Sequence, residues 1–245
     1  EISLNGFMIK PADFVETAQY PVLMFVYGGP GSQEVLNKWA HGDDFNYMWY
    51  QMLAQKGYIV ACIDNRGTGG RGKNFRDCTY GNLGRLETLD QLAAARYLAD
   101  QPYIDKDRIG IWGWSYGGYM TSLCMTKGNG VFKAGIAVAP VTNWRFYDTI
   151  YTERFLKRPQ DNARGYDENS PINFADQLKG NFLLVHGTGD DNVHFQNTVE
   201  FTNALINYNK QFDVFFYPNR AHGISGGNTR YHLYNKMTDF ILENL

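Results

Sequence analysis

Residues 108–120 read RIGIWGWSYGGYM and place a serine, Ser115, between two glycines in the order Gly113-Trp114-Ser115-Tyr116-Gly117. A serine that follows a strand-like run and precedes a helix-like one fits a nucleophile elbow. The sharp turn forces the serine into an unfavourable backbone region, and the flanking glycines let strand and helix approach without side-chain clashes. A helix opening at Tyr116 then aims the Tyr116 backbone N–H at the position where a tetrahedral oxyanion forms. The same five residues also describe a plain glycine-rich bend. For hydrolysis the serine needs a base, and the base needs an orienting acid.

In hydrolases built on this turn the chain order is Ser, then Asp or Glu, then His, each on a loop at the carboxyl end of a strand. The chain has five histidines. His41 precedes the serine, His186 lies inside the strand-like FLLVHG, His194 opens a helical pattern, and His232 sits mid-helix among apolar residues. His222 follows a strand in the short loop YPNRAHGIS and is the candidate base. The acid belongs to the preceding strand and its loop, FLLVHGTGDDN. Asp190 is the first carboxylate clear of the Gly-Thr-Gly turn and is the candidate, although spacing alone discriminates poorly between it and Asp191. A second oxyanion donor is expected from VYGGPGSQ (26–33), as the Tyr27 hydroxyl or as the N–H of Gly28 or Gly29. The residues leave these two options level.

These groups need a scaffold whose strand ends converge. The runs at 22–27, 58–63, 108–113, 134–139, 182–187 and 213–218 are short and continuously apolar, as buried strands are. Helical spacing recurs at 86–99, 194–208 and 229–245, and residues after Ser115 open a further helix. Residues 1–20 fit this pattern less well, and ISLNGFMIKP (2–11) fits an edge strand ended by Pro11. Alternating strands and helices imply one α/β domain over residues 1–245, with a mostly parallel central sheet and helices on both faces. Residues 140–175 form a long aromatic and charged insertion, a length that implies helices of its own or a site.

Composition narrows the partners. A formal charge of −2 supplies no basic field for nucleic acid or an anionic membrane. No apolar run approaches the roughly 20 residues that span a bilayer. Cys62 and Cys124 lie in apolar runs and read as core residues, and no metal-type CxxC spacing accompanies them or Cys78. No metal or cofactor is expected. The run RGTGGRG (66–72) has the glycine spacing of a dinucleotide fingerprint, but KNFRDCTYGNLG continues it as poor helix sequence. Glu87 and Asp90, the carboxylates at about the right distance, fall inside a helix instead of at a strand end. Asp64, Asn65 and Arg66 are therefore expected to brace a loop near the site. The first residue is Glu1 and not methionine, which suggests a processed or excised piece.

With VYGGPGSQ, WGWSYGGYMTS, GVFKAGIAVAPVTNW, YDTIYTERF, HGTGDDNVHFQ and AHGI in view, the sequence resembles the prolyl oligopeptidase family and, within it, the dipeptidyl peptidase IV branch. The resemblance implies the α/β-hydrolase fold, Ser115 as nucleophile, Asp190 as orienting acid and His222 as base. It implies the Tyr27 hydroxyl and Tyr116 N–H as the oxyanion hole. Val141, Trp144, Tyr147, Tyr151, Val193 and Tyr116 fall where the family builds a proline-sized pocket, and Asn192 where it holds the carbonyl of the substrate's first residue. The expected substrates are peptides with a penultimate proline. A homodimer, an N-terminal β-propeller carrying an acidic pair for the substrate's free N-terminus, and an extracytoplasmic location are implied as well. Read by spacing, Tyr147 and Tyr151 are four apart on a predicted helix with Trp144 three residues earlier, so the rings are expected on one face. The alternatives are another hydrolase of the same fold, such as an acylaminoacyl peptidase or esterase, or a catalytically silent domain that binds or dimerises.

Overall fold

Runs of apolar residues that leave neither face for water are forced to the middle of a sheet covered on both sides. The computed structural model describes residues 2–42 and 44–245. Its strands are β1 (Asn5–Ile9), β2 (Tyr20–Phe25), β3 (Ile59–Asp64), β4 (Ile104–Trp114), β5 (Ala134–Val138), β6 (Asn181–Gly187) and β7 (Asp213–Tyr217). They form one sheet in the order β1-β3-β2-β4-β5-β6-β7. β1 runs antiparallel to β3, and every other pairing is parallel. The helices are α1 (Asp44–Gln55), α2 (Lys73–Asp77), α3 (Arg85–Ala99), α4 (Tyr116–Lys127), α5 (Thr149–Leu156), α6 (Ala163–Asp167), α7 (Gln196–Asn207) and α8 (Thr229–Asn244).

Side chains alternate across the sheet, as the strand period of two requires. Val22 and Met24 join a core with Leu92, Leu123 and Phe201 from α3, α4 and α7. Leu23 and Phe25 join the opposite core with Trp49 and Leu53 of α1 and Met237 and Ile241 of α8. Helices thus cover both faces, and the expected α/β-hydrolase architecture is the one observed.

Two expectations are corrected. The run 213–218 was expected to be buried, but β7 is the sheet's edge strand, with Val214 36 % and Phe216 39 % exposed. That face of β7 is only partly covered, with Phe216 packed edge-on against Phe195 at 4.8 Å. Helix α1 has no counterpart in the sequence-based reading. Its Trp49 and Leu53 are buried while Phe45 and Met48 face outward, so apolar residues on both sides hide the helical period.

The central elements meet at the elbow. Gly113 is the penultimate residue of β4 and Gly117 and Gly118 lie in the first turn of α4, with almost no room between the backbones. A Cβ on Gly117 would lie 2.1 Å from the Val26 carbonyl oxygen, and one on Gly113 would lie 2.4 Å from both that oxygen and the Gly117 carbonyl. We expect Gly117→Ala to destabilise the chain by about 1–3 kcal/mol or more, because backbone and not a flexible side chain must move. Urea denaturation measures this, and an Ala variant as stable as the wild type contradicts the packing described.

Candidate active site

Ser115 sits at φ 59° and ψ −116°, a region that a residue with a Cβ adopts only when its surroundings impose it. Its N–H is held by the Val138 carbonyl at 2.8 Å, which fixes the turn against β5. The side chain is half-buried at the carboxyl end of β4. Tyr116 opens α4, so its N–H is one of the helix-start donors without an intrahelical partner. Residues 116–126 of α4 are buried throughout, which leaves its N-terminal end as the part directed at the site.

The loops after β6 and β7 are zipped together. Gly189 N–H donates to the Arg220 carbonyl at 3.1 Å, and Thr188 N–H to that of Tyr217 at 3.0 Å. The Thr188 hydroxyl accepts from Asn219 N–H at 2.9 Å. Close approach needs Gly187, since a Cβ there would lie 2.2 Å from the Arg220 carbonyl oxygen. This pairing brings the Asp190 carboxylate to His222: Nδ1 and Oδ2 are 2.7 Å apart. Asp190 is buried, whereas Asp191 is exposed and makes no such contact. Trp114 donates from Nε1 to the His222 carbonyl at 3.0 Å and so ties the histidine loop to the residue before Ser115. The loop is tight, and buried Ile224 is held at φ 41°. The Ser115 hydroxyl forms no hydrogen bond among the described residues. Such contacts are often loose before substrate binds.

Asp190 is in a balance of opposing effects. Burial favours its neutral form, but hydrogen bonds from His186 and His222 and the N–H of Asn192 hold the carboxyl well below the usual range. Its other oxygen, Oδ1, accepts the N–H of Asn192 at 2.9 Å and of Val193 at 3.0 Å. Asn192 is exposed and Val193 is buried.

An aromatic nest adjoins this loop. The Trp144 ring stacks on Tyr151 at 6.1 Å, meets Tyr147 edge-on at 6.0 Å, and lies 5.8 Å from Tyr116. Tyr147 and Tyr151 meet edge-on at 5.5 Å. Val141 and Trp144 are buried, while Tyr147 and Tyr151 keep part of their surface open. The one-helix expectation is corrected here. Trp144 lies on a short 3-10 turn, Tyr147 is extended, and only Tyr151 is on α5. Asp148 caps α5 by accepting Tyr151 N–H at 2.7 Å, which starts a new helix between the two tyrosines. The rings meet because the chain turns, not because they share a helical face.

Tyr147 joins the nest to the carboxylate loop by donating from its hydroxyl to Asn192 Oδ1 at 2.6 Å. That contact leaves the Asn192 amide N–H₂ to donate elsewhere, for instance to a carbonyl. Tyr27 is half-buried, with its ring 6.1 Å from Tyr116. Burial and then the Glu34 charge raise its hydroxyl pKa, so it stays a neutral donor at physiological pH. Asp64, Asn65 and Arg66 brace this region as expected. Asp64 accepts the N–H of Glu34 and Val35, Asn65 Nδ2 donates to the Gly28 carbonyl at 3.0 Å, and Arg66 pairs with Asp90. The glycine-rich run does lead into a helix, α2, but one of five residues, and Glu87 and Asp90 lie within α3. Among the described residues no group of three or more His, Cys, Asp or Glu side chains is placed to hold a metal ion.

Comparison with known proteins accords with this geometry. Residues 44–245 match the model of the prolyl oligopeptidase family. The chain belongs to the prolyl oligopeptidase family. It is 44 % identical over 250 residues to a probable dipeptidyl-aminopeptidase B of Paracoccidioides brasiliensis, covering 98 % of this chain and 27 % of that relative. It is 43 % identical over 245 residues to human prolyl endopeptidase FAP, covering 98 % of this chain and 31 % of that protein. The crystal structure of Porphyromonas gingivalis dipeptidyl peptidase 4 superposes with a TM-score of 0.96 at 53 % identity, over all of this chain and 34 % of that one. The chain thus spans about a third of the length of such relatives.

Two residues of this family member escaped the sequence-based reading. His186 looked like a strand histidine, yet its Nε2 lies 3.1 Å from Asp190 Oδ2. Glu87 is fully buried on α3 and accepts the Tyr116 hydroxyl at Oε1, 3.0 Å away. Helical periodicity places Glu87 on an inward face but says nothing of its partner.

Burial pushes the Glu87 carboxyl up to about 7, against the backbone N–H groups at the start of α3 and the Tyr116 hydroxyl, which pull the other way. A carboxyl that titrates higher when folded binds its proton more tightly in the native state. Its contribution is complete below about pH 4.5 and is lost as pH rises through 7. Glu87→Gln keeps the neutral shape and removes this loss. The variant's stability relative to wild type should therefore rise by about 3 kcal/mol from pH 4.5 to pH 8. Urea unfolding at both pH values measures the gap, and a gap independent of pH contradicts the assignment.

Proposed function

We propose that this chain is the catalytic α/β-hydrolase domain, residues 1–245, of a dipeptidyl-peptidase-type serine exopeptidase. It releases N-terminal dipeptides with proline or alanine in second position through an acyl-enzyme. The observation that carries this reading is the loop 188–193, which joins the Asp190–His222 pair to the aromatic nest through Asn192 and Val193.

In the proposed reaction, His222 Nδ1–H faces Asp190, which leaves Nε2 to take the proton of Ser115 Oγ. Oγ attacks the carbonyl carbon after the second residue. The oxyanion that forms accepts hydrogen bonds from the Tyr116 N–H and the Tyr27 hydroxyl. His222 then returns its proton to the leaving amine, the C–N bond breaks, and water hydrolyses the ester by the reverse sequence. The flat rings of Trp144, Tyr147, Tyr151 and Tyr116, with Val141 and Val193, suit the rigid ring of proline, and the Asn192 amide donates to the first residue's carbonyl. The names of the relatives, a dipeptidyl-aminopeptidase and dipeptidyl peptidase 4, support release of dipeptides. An N-terminal β-propeller that grips the substrate's free amine, and a homodimer, complete the proposal.

The reading is tested with three substrates: a Gly-Pro-linked chromogen, its N-acetylated form and an acetate ester. Each is assayed on this chain and on the full-length protein that contains it. Turnover of the free dipeptide substrate alone is expected. Preference for the acetylated substrate turns the reading toward an endopeptidase, and preference for the ester toward an esterase. A fluorophosphonate probe is expected to label Ser115 and to fail in His222→Ala. Intact fold without labelling defeats the enzymatic reading. Tyr27→Phe should lower kcat on the order of 10²–10³ with little change in KM, and an unchanged kcat removes Tyr27 from the oxyanion hole.

A further inference from the structure

His186 is completely buried on β6, and each of its ring nitrogens has a partner. Nδ1 lies 2.7 Å from the Thr198 hydroxyl. Nε2 lies 3.1 Å from Asp190 Oδ2 and 2.8 Å from the Val193 carbonyl. Both neighbours of Nε2 are acceptors, so Nε2 carries a proton and shares it between them. In this tautomer Nδ1 accepts the Thr198 hydroxyl. The Phe195 ring packs edge-on at 5.6 Å and closes the remaining side. The oxygen that receives His186 is the same one that receives His222, at 2.7 Å. One carboxylate oxygen therefore lies between two imidazoles, one sealed in the core and one partly open to solvent.

We propose that His186 is a positioning residue for the proposed reaction: its Nε2–H fixes Asp190 Oδ2 at the point from which that oxygen orients His222, and ties the Val193 pocket wall to the same carboxylate. This rests on the reading of Ser115, His222 and Asp190 as the reacting groups. Without the buried donor, Oδ2 keeps only His222 as a partner, and the carboxylate is held on its other side by the Asn192 and Val193 N–H groups at Oδ1, so the direction of Oδ2 is less tightly fixed. Two consequences follow from opposite causes. The base loses its fixed direction, which slows proton transfer. The less satisfied carboxylate also attracts the imidazolium more strongly, so His222 stays protonated to higher pH. Among the described residues, the ionisable groups near this pair include His186, Tyr147 and the neighbouring Asp191 on the Asp190 side, and Arg230, whose guanidinium lies beside Gly223, on the His222 side. Tyr147 is pushed up to about 12, first by burial, and is neutral throughout the range that matters.

The test compares the wild type with His186→Leu, which removes the donor, and His186→Gln, whose amide nitrogen replaces Nε2–H. The pH dependence of fluorophosphonate acylation is followed, because it reports serine reactivity without regard to peptide preference. In His186→Leu the plateau rate should fall about tenfold, the worth of one charge-assisted hydrogen bond, and the acidic limb should move upward by about half a unit. His186→Gln should stay within about threefold of wild type with the limb unmoved. An unchanged rate and limb in His186→Leu overturns the proposal, as does equal loss in both variants, which would mean that only the ring's packing matters. If the wild type itself does not acylate, the proposed function fails while the inference is still decided by NMR titration of His222. A shifted midpoint in His186→Leu supports the coupling, and an identical one overturns it. If His186→Leu does not fold, the ¹⁵N shifts of His186 in the wild type decide. Protonated Nε2 with bare Nδ1 is required, and the opposite tautomer refutes the proposal.

Discussion

The Asp190 carboxylate is buried, so its charge must be met by donors, and the donors that meet it are the parts of the site. Oδ2 takes His222 and His186, and Oδ1 takes the N–H groups of Asn192 and Val193. Removing a carboxylate from water costs several kcal/mol, and each hydrogen bond to a charged group returns about 1.5–3. No single donor offsets the burial, but the set does, which is why the carboxyl is held ionised despite its surroundings. Satisfying one charge thus fixes the proposed base, the proposed carbonyl donor and one wall of the proposed pocket together.

The sheet and its helices supply the positions from which these groups reach one another. Parallel strands end at a common edge, and β4, β6 and β7 deliver Ser115, Asp190 and His222 there. Ser115 and Ile224, at the loop tips of the site, are among the non-glycine residues held at positive φ, while the elements below are packed in two continuous cores. Glycine appears where backbones nearly touch: Gly117 beneath Val26, and Gly187 beneath Arg220. The insertion is anchored in the same way. Asn197 of α7 accepts Thr142 N–H at 2.9 Å and so ties the insertion to the core, and within the insertion Ser170 accepts Trp144 N–H at 3.3 Å.

Much of this was legible from residue order. Continuous apolar runs named six strands, and the expected edge strand formed at Asn5–Ile9. The requirement that a base follow a strand in a short loop singled out His222. The choice of Asp190 over Asp191 was less determined, and the structure separates them by burial and by the bond to His222. Other features had no sequence signal because they depend on distant backbone. His186 pairs with Asp190 four residues away, but only because the loop folds back beneath it. Tyr147 left the predicted helix because Asp148 caps a new one, a local competition that spacing does not capture. The exposed face of β7 could not be told from a buried one, since apolar periodicity reports the strand and not its place in the sheet.

The central claim is that one ionised carboxylate, at Asp190, holds the site together. The most direct measurement is the fluorophosphonate acylation rate of Asp190→Asn beside Asp191→Asn, with thermal unfolding as the control for fold. An asparagine carbonyl can still accept the N–H of Asn192 and Val193, but its amide turns donors toward His222 and His186 and reverses the pairing. The account predicts a loss on the order of 10³–10⁴ in Asp190→Asn and almost none in Asp191→Asn. Near-wild-type acylation in Asp190→Asn, with the fold intact, would contradict it.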